Sequence, residues 1–214
     1  MPAATHPIGT LRRVYLMADA RIPETSTGRP ALTARLATDL RAQRPEVIAE
    51  LLDAFGRELA GVAFLIVRNH ADAEEIVMDT LITAWRRAND LRDDGALRTW
   101  LLRIATRHAL SRRRRRQHVT TALHLAVPLP AAPTDEPSVD RLLIAEALSD
   151  LPPKMRAAIA LHHCAGLSVP EVAGVLGTSQ NTIKSNLRDA MARLRAAFDV
   201  PGDGATNPGR RNDA

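Results

Sequence analysis

Three groups of side chains stand out by type and spacing. Arg103, Arg107 and Ser111 fall at i, i+4 and i+8, on one face of any helix they share, and lead into the run Arg112 to Arg116. These seven arginines form a footprint for phosphates, and its grip should weaken steeply as salt rises. Nearer the C-terminus, Gln180, Asn181, Lys184, Ser185 and Arg188 share a helix with Ile183, Leu187, Met191 and Leu194 but lie on its other side. All five can donate hydrogen bonds to base edges or phosphates near a helix N-terminus. The third group is acidic: Asp72, Glu75 and Asp79 recur at helical spacing opposite a stripe of Val77, Leu81, Ala84 and Trp85. Such a ridge suits a partner protein, although a solvated helix face shows the same pattern.

Other chemistry finds little support. There is no glycine-rich phosphate loop, and no nucleophile has an obvious base nearby, so the sequence does not read as an enzyme or as a binder of a small-molecule substrate or cofactor. His162, His163 and Cys164 are adjacent, and neighbouring residues on a helix point about 100° apart, so the three cannot share one tetrahedral metal. Trp100 heads the arginine-bearing helix, where an indole either packs in the core or stacks on a base.

The elements that would carry these groups are helical. Apolar residues recur at three-to-four spacing from Val47 to Ile66, then again from about Ala71 to Ala88, and a third long helix is expected from about Leu97 through the arginine run. Together they make an expected domain over residues 34–116. Residues 46–80 hold 2 Arg against 8 Asp and Glu, whereas residues 81–116 hold 11 Arg against 3 Asp, so this one domain has an acidic half and a basic half. Residues 1–33, with Pro2, Pro7, Pro23 and Pro30 among Thr and Ser, read as a disordered extension without the apolar core of a signal peptide. Residues 117–139 contain Pro128, Pro130, Pro133 and Pro137 and read as a flexible linker. At roughly 3.3 Å per residue it could span about 75 Å, so the flanking domains need not touch.

Helical period returns over 140–198, with Leu142, Leu143, Ala147 and Leu148, then Met155, Ile159 and Ala160. Ser168 with Glu171 three residues on makes a capping box, Pro170 sits in the first turn where an N–H is not needed, and Gly177 ends the helix at a left-handed position. A short turn and a new N-cap at Ser179 open the helix that carries Lys184 and Arg188, which completes a helix-turn-helix. Residues 199–214, with Pro201, Gly202, Gly204, Pro208 and Gly209, read as a disordered tail.

The chain of 214 residues holds 29 Lys and Arg against 24 Asp and Glu and has a pI near 10.5, which makes a polyanionic partner plausible. Only 3% of it is aromatic, so aliphatic residues and Ala must fill an all-α core. The lone Cys164 excludes an internal disulfide and fits a reducing cytoplasm. No apolar run is long enough for membrane insertion.

The order of these motifs resembles the sigma-70 family of RNA polymerase sigma factors, in its extracytoplasmic-function group. Asp72 to Trp85 looks like the group's polymerase-binding helix, and Leu97 to Ala105 like its promoter-melting helix. Leu151 to Arg156, Gly166 to Ser168 and Thr182 to Arg195 look like its C-terminal domain. The resemblance implies two helical domains, region 2 over 34–116 and region 4 over 140–198. It implies a transcription initiation factor, acting in the cytoplasm and on the nucleoid, that binds core RNA polymerase and reads minus-ten and minus-thirty-five promoter elements. Asp72, Glu75 and Asp79 would grip the clamp helices of the polymerase's largest subunit, and region 4 its flap. Leu91, Arg98, Trp100, Arg103, Arg107, Ser111, Arg112 and Arg113 would face the minus-ten strand, and Gln180, Asn181, Lys184, Ser185 and Arg188 the minus-thirty-five duplex. An anti-sigma protein is a further implied partner. Leu91, Arg107 and Asp189 depart from common family residues, as do His162, His163 and Cys164. The competing reading is a polymerase-independent helix-turn-helix regulator whose first half dimerises; it leaves the acidic ridge unused.

Overall fold

The structure is a computed structural model that describes residues 29–122 and 148–198. Seven α-helices occur among the described residues: α1 Arg29–Arg41, α2 Val47–Val67, α3 His70–Arg86, α4 Leu97–Ala122, α5 Pro153–Ile159, α6 Val169–Leu176 and α7 Gln180–Phe198. A π turn, Ala160–Cys164, extends α5, and two 3-10 turns, Ala88–Asp90 and Asp94–Ala96, join α3 to α4. The expected extension up to residue 28, the linker from residue 123 and the tail beyond residue 198 lie outside the described residues, as do Leu142, Leu143 and Ala147.

Two helix boundaries differ from the sequence expectation. Helix α1 starts at Arg29, inside the stretch assigned to the extension, because Pro30 is tolerated in a first turn and Leu36, Ala37 and Leu40 bury completely against the bundle. Helix α4 runs on to Ala122, past the expected end at residue 116; between Arg116 and Ala122 there is neither proline nor glycine to stop it.

Helices α2, α3 and α4 pack on one another through Leu51, Leu59, Ile66, Ile76, Leu81, Leu97, Leu101 and Leu102, none more than 1% exposed. Arg68 takes the left-handed conformation (φ 59°, ψ 39°) that ends α2, and the side chain of Asn69 accepts the Asp72 N–H at 2.9 Å, which starts α3. This punctuation sets the reversal between the two helices and therefore where the acidic residues of α3 emerge.

The second half does not stand apart from the first. Helix α5 and its π turn pack on α2, and α6 packs on α4. One apolar core runs through both halves, from Leu36 to Leu194. Arg156, 1% exposed, donates from Nη2 to the carbonyl of Ile66 at 3.1 Å and from Nη1 to Leu151 at 2.9 Å and Ser149 at 3.1 Å. Arg98 binds Glu58 in its own half and the carbonyl of Ala165 in the other. The domains expected to need no contact are closed on each other.

Candidate nucleic-acid and polymerase interfaces

The helix-turn-helix forms as its punctuation implies. The Glu171 carboxylate accepts the Ser168 backbone N–H at 2.8 Å and its hydroxyl at 2.6 Å, and these bonds lower the Glu171 pKa. Gly177 is left-handed (φ 63°, ψ 43°) and closes α6, and the hydroxyl of Ser179 accepts the Thr182 N–H at 3.1 Å to open α7. Ile183, Leu187, Ala190, Met191 and Leu194 bury the inner face of α7. Gln180, Asn181, Lys184 and Arg188 are exposed on its other side, as expected, and Ser185 is half-buried. Asp189 engages this face: Ser185 donates to it at 3.4 Å, and the Arg188 Nε lies 3.6 Å from its carboxylate.

The basic helix α4 is more entangled. Arg103 and Arg107 are exposed, while Ser111, Arg112 and Arg113 are half-buried. Arg112 lies 3.2 Å from Asp72 and 3.9 Å from Asp79 and is bonded to Glu75. Arg116 donates to Asp72 at 2.9 Å. The hydrogen bond to Glu75 raises the Arg112 pKa and lowers that of Glu75. Two expected groups of residues, one for DNA and one for polymerase, are thus joined by ion pairs.

The acidic ridge changes composition accordingly. Asp72 is 6% exposed and belongs to the ion-pair network instead of the surface, because the N-cap at Asn69 turns it inward toward α4. Glu75 and Asp79 remain at the surface, and Met78 and Ile82, both nearly half exposed, join them on the same face at i+3 and i+4 spacing. Sequence reasoning missed this apolar pair; its signal is that Met78 and Ile82 fall outside the Val77–Leu81–Ala84 stripe.

Leu91 is a core residue. It is 4% exposed, turned inward by the 3-10 turn in which its N–H bonds the Ala88 carbonyl at 3.2 Å, so it does not present a side chain to a base here. The concave surface lies beside it. Thr83 near the end of α3, with Arg87 and Asp90 of the segment that follows it, faces Trp100, Arg103, Ile104, Arg107 and His108 of α4 across a cleft of about 360 Å³. Trp100 is half-buried, with core contact and cleft contact at once. Thr83 Oγ1 and His108 Nε2 are 3.1 Å apart, and burial lowers the His108 pKa. The contribution of α3 to this cleft arises from packing across the helix pair, which no local spacing reveals.

His162 Nδ1 is 2.7 Å from the Leu167 carbonyl, and Cys164 is buried in the π turn. Among the described residues no three metal-ligating side chains converge, and no helix is long and apolar enough to cross a membrane.

The same two units emerge from comparison with known proteins. Residues 51–119 match the family description "Sigma-70 region 2", and residues 141–194 match "Sigma-70, region 4". The SigM extracytoplasmic-function RNA polymerase sigma factor of Mycobacterium tuberculosis is 33% identical over 139 residues, 64% of this chain and 70% of that protein. SigL of the same species is 30% identical over 166 residues, 75% of this chain and 94% of SigL. The chain belongs to the extracytoplasmic-function group of the sigma-70 family. Among solved structures, the sigma factor RpoE of Bartonella quintana in complex with the anti-sigma factor NepR gives a TM-score of 0.59 at 27% identity, covering 72% of this sigma factor and 96% of that chain. CnrH in complex with the cytosolic domain of CnrY gives 0.59 at 26%, covering 79% and 99%. Helices α2 to α4 therefore fall in region 2 and α5 to α7 in region 4, with α1 ahead of the region 2 match.

Proposed function

We propose that this sigma factor binds core RNA polymerase through region 2 and directs it to promoters, with region 4 reading the minus-thirty-five element and the α3–α4 cleft the minus-ten strand. The observation that carries the reading is the presence, on one chain, of an exposed helix-turn-helix face at Gln180, Asn181, Lys184 and Arg188 and a separate acidic and apolar face at Glu75, Met78, Asp79 and Ile82. A helix-turn-helix repressor needs only the first. Lys184, Ser185 and Arg188 serve as base and phosphate readers near the N-terminus of α7. Arg103, Arg107 and Trp100 line the cleft for an unpaired strand, with the arginines on phosphates and the indole edge available to a base. Arg98, Ser111, Arg112 and Arg113 act at its margins, and Leu91 supports the loop from within.

Glu75 and Asp79, with Met78 and Ile82 beside them on the same face, dock on the polymerase clamp helices, and region 4 reaches the flap. The factor works in the cytoplasm and, when active, on the nucleoid. An anti-sigma protein is its regulatory partner, by likeness to the two structures solved with one. Its task is recognition and strand holding, with no catalytic step of its own.

The test is reconstitution. Run-off transcription with core polymerase on genomic fragments should give discrete starts that depend on this chain. Glu75→Lys with Asp79→Lys should abolish co-purification with core while leaving the helical circular dichroism signal unchanged. Undiminished binding by a folded double variant would overturn the reading.

A further inference from the structure

An acid stands in the middle of the α7 surface that is proposed to face DNA. Asp189 is the single acidic residue among the nineteen of α7, which also carries Lys184, Arg188, Arg193 and Arg195. At 100° per residue, Ser185 points almost directly away from Ile183, Leu187 and Leu194, the buried side of the helix. Asn181, Arg188 and Asp189 lie within about 60° of Ser185 on the same wheel. Asp189 therefore shares the outermost stripe with the residues proposed to read bases, and its side chain is 49% exposed.

That carboxylate organises the stripe. Ser185 donates to its Oδ2 at 3.4 Å, and its Oδ1 lies 3.6 Å from Arg188 Nε. Arg188 Nη2 in turn donates to the Ser185 hydroxyl at 3.4 Å. The three side chains close a ring, and Ser185 is half-buried within it although it faces away from the core. All three contacts are long, and a carboxylate has about four sites at which to accept, so Asp189 keeps capacity for another donor. Arg188, 77% exposed, likewise keeps donors. The helix thus presents a donor fork and an acceptor side by side.

Next to phosphates, a carboxylate costs affinity unless a base donates to it. In the major groove only cytosine N4 and adenine N6 donate; guanine and thymine offer acceptors there, which repel a carboxylate. Adenine sets its N7 acceptor beside N6, whereas the cytosine edge offers the donor without one, so a carboxylate favours cytosine. Across one G·C pair the edge reads acceptor, acceptor, donor: guanine N7, guanine O6, cytosine N4. A guanidinium joined to a carboxylate supplies the complement in that order.

We propose that Asp189 is a specificity-determining residue of this sigma factor: its carboxylate accepts from cytosine N4 in the minus-thirty-five element while Arg188 donates to the guanine of the same pair. The inference rests on the reading of region 4 as the part that recognises that element.

The experiment first selects duplexes, randomised across the upstream element, that bind the reconstituted holoenzyme, and then alters single atoms of the selected G·C pair. N4-methylcytosine keeps its pairing but turns its methyl group into the major groove, where it replaces the hydrogen that Asp189 would accept; 7-deazaguanine removes the N7 acceptor. Wild type should bind the N4-methylcytosine duplex roughly tenfold more weakly than the unmodified one. Asp189→Ala should bind the two alike, and should bind scrambled elements more tightly than wild type does, because an acid that repels phosphates has gone. Asp189→Glu should restore the N4-methyl penalty. The 7-deazaguanine penalty should survive in Asp189→Ala and vanish in Arg188→Ala. Circular dichroism should be unchanged in all three variants, whose altered side chains are exposed. An N4-methyl penalty that is absent in wild type, or equal in wild type and Asp189→Ala, would overturn the proposal. So would loss of the 7-deazaguanine penalty in Asp189→Ala, which would reduce Asp189 to a support for Arg188. No upstream selection by the wild-type holoenzyme would overturn the region 4 reading and this proposal with it; selection without a cytosine that depends on Asp189 would overturn this proposal alone.

Discussion

Helices α4 and α7 both present basic side chains to DNA in the proposed reading, yet the two are built differently. On α7 the outer face touches little beyond itself: Arg188, Ser185 and Asp189 contact one another, and Lys184 projects into solvent. On α4 the cations are engaged at several points, Arg98 with Glu58 and region 4, Arg112 with Asp72, Glu75 and Asp79, and Arg116 with Asp72. The cations of α4 therefore also hold the bundle and the two regions together, which those of α7 do not.

That contrast can be broken or sharpened by substitution. The largest effect should come from α7: Lys184→Ala with Arg188→Ala should lose about 1–3 kcal/mol of binding per base contact removed, read by titrating holoenzyme onto intact and scrambled upstream elements. Stability should change by less than about 0.5 kcal/mol, since both side chains are exposed. Equal binding of intact and scrambled elements by the wild type would remove α7 from the comparison.

Next comes α4, where the same kind of change should be structural. Arg112→Ala leaves Asp72 buried with Arg116 as its remaining cation and should cost about 2 kcal/mol in urea unfolding. The figure sits below that for a fully buried pair because the Arg112 side chain remains 21% exposed. A loss under about 0.5 kcal/mol would show that α4 is no more committed to the fold than α7.

The smallest effect concerns the cap that aims the helix-turn-helix. Glu171→Gln should cost about 1 kcal/mol at neutral pH. Its folded pKa is lowered below the ordinary carboxylate value of 4.5, so the contribution is present above that value and lost as pH falls through the folded pKa. Wild type and variant should converge in stability in acid, which pH-dependent unfolding would show. A constant gap across that range would assign the effect to packing instead.

How much of this was legible from residues alone differs between the regions. The helix-turn-helix was readable in detail: Ser168, Glu171, Gly177 and Ser179 act within a few residues of themselves, and all four do what local chemistry requires. Region 2 was readable as a helical bundle with an acidic and a basic half. Three of its assignments moved once the helices were packed: Asp72 went from ridge to ion-pair network, Leu91 from loop tip to core, and Arg112 from free cation to the partner of Glu75. Thr83, Arg87, Asp90 and His108 entered the cleft only when α3 met α4.

The amino-acid sequence by itself determined the helices, their caps, the polar face of α7 and the membership of the chain in its family, because each rests on period, punctuation or motif order over short spans. Only the tertiary structure decided which charges are free and that the two regions close on each other. Those outcomes depend on pairs such as Arg98 with Ala165 and Arg156 with Ile66, distant in sequence. Whether such a pair forms is settled by the competition between apolar burial and the cost of drying cations, which no local pattern records.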